Sequence, residues 1–435
     1  MTLLDLTPRP RLTDRLATLP VVIVGAGPIG LAAAANLVER GIDFVVLEAG
    51  DRPASSVRLW GHTRLFSPWR HLIDPASRRL LTAAGWTPPL DEGRAPTGLQ
   101  LVDEYLVPLA GLEAIRSRIR YGTRVTAVAR QGMDRTRTVG REATPFLLRV
   151  MTDAGEVEEM TGRAVIDASG TYTTPNPLAS SGLEPMGAGS AGDRIVHALP
   201  DVLGADRDRF AGRRTTVVGA GHSAANTLIA LAELSKSEPG THVTWLIRNA
   251  SAVRVSSSAD DELADRARLG SRVDQLVDSG IIEKIDSFEI STVRRHGDGI
   301  RLIGARRGEP AAHDTDLVVG ATGFRPDLDM LREIRVQLDD IVEAPIRLAP
   351  LIDPNVHSCG TVAPHGVEEL RHPESGFFLV GMKSYGRAPT FLLATGYEQV
   401  RSVVAWLDGD MRAASEVRLT LPATGVCSTG AGGCC

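Results

Sequence analysis

Residues 21–30 (VVIVGAGPIG) and 215–224 (TTVVGAGHSA) share one pattern: an apolar β-branched run, then G-x-G-x-x-G/A, then small residues. Such a run reads as a buried parallel strand feeding a tight turn and a helix. In that turn the first glycine permits the bend, and the second lets a pyrophosphate approach the backbone. The third lets helix and strand pack closely. These places are held by Gly25, Gly27 and Gly30 in the first turn, and by Gly219, Gly221 and Ala224 in the second. A helix start adds unpaired N–H groups and partial positive charge. One such turn is a weak signal. Two in one chain predict two nucleotides held for electron transfer between them.

The two turns lead to different residues. After the first, a predicted helix over 31–40, entered through Pro28, leads to a strand over 44–48 that ends on Glu48 and Ala49. A carboxylate there accepts hydrogen bonds from ribose hydroxyls. After the second, entered through His222 and Ser223, a helix over 224–234 leads to a strand over 243–248 that ends on Arg248. An arginine pairs with a 2′-phosphate that an acid would repel, which favours NADPH over NADH. An exposed arginine that merely comes after a strand would look the same.

Two crossings accompany the turns. Asp167-Ala168-Ser169-Gly170 ends a strand over 164–167, and Gly320-Ala321-Thr322-Gly323 ends one over 317–319. Small residues there let the chain pass close to a nucleotide, which makes Ala168, Ser169, Gly170, Thr322 and Gly323 candidates. Trp60, in an irregular aromatic stretch over 58–69, and Val125, opening a strand over 125–130, complete the set for the first nucleotide. The stretch 381–390 (GMKSYGRAPT) is expected to be a strand end, a loop, and a helix opened by Thr390. Lys383, Tyr385 and Arg387 are the candidate site residues of this loop. Ordinary loop polar residues before a helix would read alike.

The expected organisation is α/β, with two Rossmann-like dinucleotide-binding domains, the second inserted into the first. The first domain covers 19–212, the inserted one 213–322, the return of the first 323–421, and a flexible Cys-rich tail 422–435. A connector over 176–214 precedes the insertion. The net charge of −5 supplies no basic field for nucleic acid and no attraction to an anionic membrane. The N-terminal segment has no continuous apolar core of a secretory signal, and a cytoplasmic location is expected.

Four cysteines are too few for a disulfide scaffold, and three of them, Cys427, Cys434 and Cys435, crowd the tail. Thiolates prefer soft ions, so these three are candidate ligands for a thiophilic metal or metalloid. A tail with incidental thiols is the alternative. No C-x₂₋₄-C lies in 58–69, where a flavin-linked redox disulfide would be needed.

The ordered set GAGPIG, LEAG, DASGTYTTPNP, GAGHSA, IRN and ATGFRPD resembles the two-dinucleotide-domain flavoproteins, and among them the flavin-containing monooxygenases and their N-hydroxylating relatives. The likeness runs over about residues 20–410. It implies FAD at Gly25, Gly27, Gly30 and Glu48, and NADPH at Gly219, Gly221, Ser223 and Arg248. It also implies that the helix N-terminus at Thr390 points at the flavin and stabilises negative charge on its reduced ring, with Lys383, Tyr385 and Arg387 facing ring or substrate. It further implies O₂ and a small-molecule substrate, with a soft nucleophile (N, S or As) oxygenated through a peroxyflavin. The family's F-x-G-x-x-x-H element is reduced here to Gly192 and His197 with irregular spacing, so His197 reads more simply as a connector residue. The vicinal terminal cysteines are similar to those of mercuric reductases, and the whole pattern is similar to flavoproteins encoded with arsenic-resistance genes. That keeps a reductase of a thiophilic metal or metalloid as the alternative activity, and a redox sensor without turnover as a third. A homodimer is a further expectation.

Overall fold

The computed structural model describes residues 14–251, 264–354, 364–389 and 391–419. They form two compact units: the described residues within 14–61, 67–171 and 326–419 make one, and those within 62–66 and 172–325 the other.

The first unit starts at β1 (Val21–Val24), followed by β2 (Phe44–Leu47) and β3 (Ile119–Arg120). An antiparallel hairpin and third strand come next: β4 (Thr123–Arg130), β5 (Phe146–Thr152) and β6 (Val157–Gly162). Then comes β7 (Ala164–Asp167). β1 and β7 are buried at every position, as strands of a sheet covered on both faces must be. The Pro28–Glu39 helix packs on this sheet, and its Ile29–Leu37 stretch is entirely buried.

The second unit contains β8 (Ile195–His197), β9 (Arg214–Val218), β10 (His242–Leu246), β11 (Ile282–Ile285) and β15 (Leu317–Gly320). Between β11 and β15 lies an antiparallel sheet of β12 (Phe288–His296), β13 (Gly299–Arg306) and β14 (Glu309–Thr315). The parallel order is β11-β10-β9-β15-β8. Helices His222–Ser237 and Ala264–Asp278 accompany it. The chain then returns to the first unit through β16 (Phe377–Leu379), which completes the order β16-β7-β1-β2-β3, and helix Leu393–Leu407.

The two parallel sheets and the insertion match the expected fold class. Boundaries differ. Residues 172–212, with the short stretches 62–66 and 323–325, are expected in the first domain but group with the second unit; the longest of these has a clear cause. The reason is pairing: Ile195–His197 joins β15 in parallel register, Val318 opposite Ile195 and Gly320 opposite His197. The expected connector therefore contributes the edge strand of the second sheet. His197 is an exposed residue of that strand.

Candidate functional site

The two glycine turns are built on the same plan. In the first, Gly25 N–H donates to Leu47 O (2.7 Å) and Ala168 N–H to Val24 O (2.9 Å). In the second, Gly219 N–H donates to Leu246 O (3.2 Å) and Ala321 N–H to Val218 O (2.8 Å). Each turn is thus clamped between its neighbouring strand and its crossing. Gly25 has φ +98°, and a Cβ there would sit 2.9 Å from Ala168 O. Gly219 has φ +136°, and a Cβ there would sit 2.2 Å from Ala321 O. Both positions demand glycine for the fold itself.

Gly27 and Gly221 are different. A Cβ on either would meet nothing within 4 Å. Each is the N-cap of its helix, and neither helix start receives a side-chain cap. Open space in front of uncapped N–H groups is what an anionic diphosphate requires. Gly30 is needed for packing, since a Cβ there would lie 1.9 Å from Gly25 O. Its counterpart Ala224 is fully buried.

Glu48 is buried, and both its oxygens hold the first turn: Oε2 accepts from Ala26 N (2.7 Å) and Oε1 from Gly50 N (2.9 Å). Burial pushes its pKa up, against the pull of those two backbone hydrogen bonds. Its carboxylate keeps lone pairs for a ribose hydroxyl. Ala49 is half-buried beside it. Val125 lies in the core with Val22, Val24 and Leu47. Trp60 packs on Gly98, where a Cβ would come within 2.8 Å of the ring.

At the C-terminal ends of β7 and β16 sits a buried ion pair. Lys383 Nζ lies 2.7 Å from Asp167 Oδ2 and donates to Ser169 Oγ at 3.1 Å. Asp167 Oδ1 accepts from Ser169 N (3.1 Å) and Oγ (2.6 Å). Ser169 itself is exposed, next to Gly170 at φ +71°. Tyr385, expected at the reacting ring beside Lys383, is fully buried between His365 (5.7 Å) and Phe391 (5.2 Å), and burial pushes its hydroxyl up in pKa. Arg387 is engaged elsewhere too: it grips Glu343 at two points, 2.7 and 3.2 Å, while its backbone N–H donates to Val342 O. The neighbouring Gly386 allows this approach, as a Cβ there would strike Val342 O. Thr390, expected to open the last helix, lies outside the described residues, and that helix begins at Leu393.

Three residues of this loop region carried no sequence signal. Gln399 Oε1 accepts from Gly381 N (2.7 Å), and its Nε2 donates to Ser384 Oγ (2.9 Å) and contacts His365 Nε2 (2.8 Å). With the amide oriented by Gly381, His365 Nε2 must accept, so this buried imidazole carries its proton on Nδ1.

In the second unit, Thr322 Oγ1 donates to Asn176 O (2.7 Å), Asn176 Nδ2 to Thr322 O (3.2 Å) and Asn176 N to Gly323 O (2.9 Å). Asn176 thus anchors the second crossing. Trp245 Nε1 donates to Gly219 O (2.7 Å) and steadies the turn from below. His222 rests against Phe66, ring centroids 5.0 Å apart. Ser223 is half-buried on the first helical turn. Arg248 is exposed after β10, and no carboxylate pairs with it among the described residues. Cys427, Cys434 and Cys435 lie outside the described residues. Among the described residues no group of three His, Cys, Asp or Glu is arranged to hold a metal, and no helix is long and apolar enough to cross a membrane.

Comparison with known proteins agrees with this arrangement. A family described as pyridine nucleotide-disulphide oxidoreductase matches residues 22–346. The indole-3-pyruvate monooxygenase YUCCA6 of Arabidopsis thaliana is 32% identical over 203 residues, which are 46% of this chain and 42% of that protein. The match therefore spans less than half the length of that curated relative. Among solved structures, the bacillithiol disulfide reductase Bdr of Bacillus cereus superposes with a TM-score of 0.66 at 20% identity, covering 90% of this chain and 99% of that one. The cadaverine monooxygenase DfoA of Erwinia amylovora, solved with FAD, gives 0.64 at 14% identity over 94% and 98% of the two chains. The ornithine hydroxylase PvdA of Pseudomonas aeruginosa gives 0.63 at 17% identity over 90% and 99%.

Proposed function

The chain belongs to the pyridine nucleotide-disulphide oxidoreductase family, and from that premise we propose that it is an FAD- and NADPH-dependent monooxygenase of a small soft nucleophile: nitrogen, sulfur or arsenic. The observation that carries the reading is the pair of clamped glycine turns, each opening onto free space at its second glycine. The sequence supports oxygenation over disulfide reduction, because the first cysteine of the chain is Cys359 and neither turn or crossing contains one. The monooxygenases among the relatives support the same choice.

The residues divide the work. N–H groups at the start of the Pro28–Glu39 helix hold the FAD diphosphate over Gly27, and Glu48 accepts a ribose hydroxyl. The Ala168–Gly170 crossing covers the same end of the sheet. Gly221, His222 and Ser223 receive the NADPH diphosphate, Thr322 and Gly323 flank it, and Arg248 pairs with the 2′-phosphate. FAD held at the first turn would supply the redox chemistry, two-electron acceptance from NADPH and reduction of O₂. No protein acid–base pair is required of the site.

The test is parallel measurement of NADPH and O₂ consumption with candidate amines, thioethers and arsenite. The cadaverine monooxygenase and ornithine hydroxylase among the structural relatives make diamines the first to try. Equal consumption of NADPH and O₂ with formation of an oxygenated product supports the proposal. Recovery of all the O₂ as peroxide with every substrate refutes it. NADPH oxidation that needs no O₂, requires arsenate or mercuric ion and is lost in Cys434→Ser/Cys435→Ser would identify a reductase instead.

A further inference from the structure

Asp167 and Lys383 are both fully buried, yet opposite full charges are held there at 2.7 Å. Desolvating two charges opposes folding, and an apolar pair of similar volume would serve stability as well or better. Neither charge is fully satisfied. Asp167 Oδ1 takes two hydrogen bonds from Ser169, but its buried Oδ2 faces the ammonium at 2.7 Å without a hydrogen bond, and among the described residues the ammonium's hydrogen bond goes to Ser169 Oγ. A pair of charges kept in the interior with its hydrogen bonds incomplete is retained for the site beside it and not for stability.

Its place in the sheet says which site. Asp167 ends β7 and Lys383 lies just beyond β16, and β16, β7 and β1 are consecutive neighbours. The first glycine turn leaves the C-terminal end of β1, and ligands of such sheets bind at that end of the strands. Ser169, which both charges touch, is exposed there.

Resting on the FAD reading above, we infer that the Asp167–Lys383 pair sets the reduction potential of the bound flavin. The Lys383 charge, buried beside the exposed Ser169, favours the extra negative charge of the reduced form through space, while Asp167 limits how far. Both are positioning residues that act on the flavin through their field, without touching it.

The two charges must act with opposite sign, which a merely structural role would not produce. The experiment measures the anaerobic two-electron midpoint potential of the FAD-loaded protein by equilibration with a reference dye. Lys383→Met is expected to move the oxidised-to-reduced ratio at a fixed potential at least tenfold toward oxidised flavin, a fall of about 30 mV for a two-electron couple. Asp167→Asn is expected to shift the ratio by a similar factor in the other direction. Lys383→Met combined with Asp167→Leu should return close to the parent, and Lys383→Arg should stay within about threefold of it. Should Lys383→Met fail to fold, the upward shift in Asp167→Asn and the near-parent value of Lys383→Arg carry the test. Unmoved potentials, or single variants shifting the same way, overturn the inference. A parent protein that binds no FAD overturns the FAD reading together with this one, whereas normal FAD binding with unmoved potentials overturns this one alone.

Discussion

Replacing Gly25 and Gly27 by alanine, one at a time, separates what folds the first turn from what binds there. Gly25 sits at φ +98°, and a methyl would lie 2.9 Å from the Ala168 carbonyl. The left-handed backbone alone costs roughly 1–2 kcal/mol with a Cβ present, and the contact adds to it by forcing the crossing to move. Gly27 has φ −79° and ψ −174°, which alanine adopts freely, and its Cβ would enter open space. Alanine there also restricts the unfolded chain, so Gly27→Ala should leave the flavin-free protein unchanged or more stable by roughly 0.4–1 kcal/mol. The same methyl occupies the space assigned to a diphosphate oxygen. Loss of one hydrogen bond to a charged group, roughly 1.5–3 kcal/mol, weakens FAD at least about tenfold. The assay pairs urea denaturation of flavin-free protein with fluorescence titration of FAD. Gly25→Ala should lower the denaturation midpoint, and Gly27→Ala should raise only the dissociation constant. If Gly27→Ala destabilises the flavin-free chain as much as Gly25→Ala, or binds FAD like the parent, the division of labour between the two glycines is wrong.

The second turn permits the same comparison, with Gly219→Ala damaging the fold and Gly221→Ala weakening NADPH while FAD stays bound. Arg248→Ala should raise the NADPH dissociation constant about tenfold or more and leave NADH unaffected, as isothermal titration with both nucleotides would reveal. Asp74, buried as the N-cap of the Pro75–Ala83 helix, has its pKa pushed up to about 6, chiefly by burial. A carboxyl with a raised pKa adds stability that is present below about pH 4 and lost as pH rises through about 6. Asp74→Asn, which keeps an acceptor for Ser77 N–H, should therefore flatten the denaturation midpoint between about pH 4 and 7 relative to the parent. Glu374 is buried between Arg130 (2.8 Å) and Arg141 (2.8 Å), which hold its carboxyl below the usual range despite burial. Glu374→Gln leaves two guanidiniums uncompensated and should cost roughly 3–5 kcal/mol in urea unfolding at neutral pH.

Both glycine turns were readable from the chain because their requirements are local. A positive φ at Gly25 and Gly219, and bare backbone at Gly27 and Gly221, are written in residue type alone. What was illegible depends on partners distant in sequence. The edge strand Ile195–His197 lies in a Gly/Pro-punctuated stretch and is a strand only because β15 offers it a ladder. Nothing at position 387 announces that Glu343 will capture its guanidinium, nor at 399 that a glutamine will reach back to Gly381. Lys383 was recognisable as a charged residue in a candidate loop. Its pairing with Asp167 required the order of strands β16 and β7, which no periodicity encodes.

That order bears on how the chain is made. Synthesis runs from the N-terminus, and the second unit, apart from short flanking pieces, is one continuous segment, 172–325, that can form its sheet as soon as it emerges. The first unit has no such freedom. Until Phe377–Leu379 arrives, β7 is an uncovered sheet edge, and until Lys383 emerges, Asp167 is a carboxylate with no counter-charge. The half of the molecule that begins first must therefore finish last, and a ribosome that stops after the inserted unit releases one completed sheet and one that is still open.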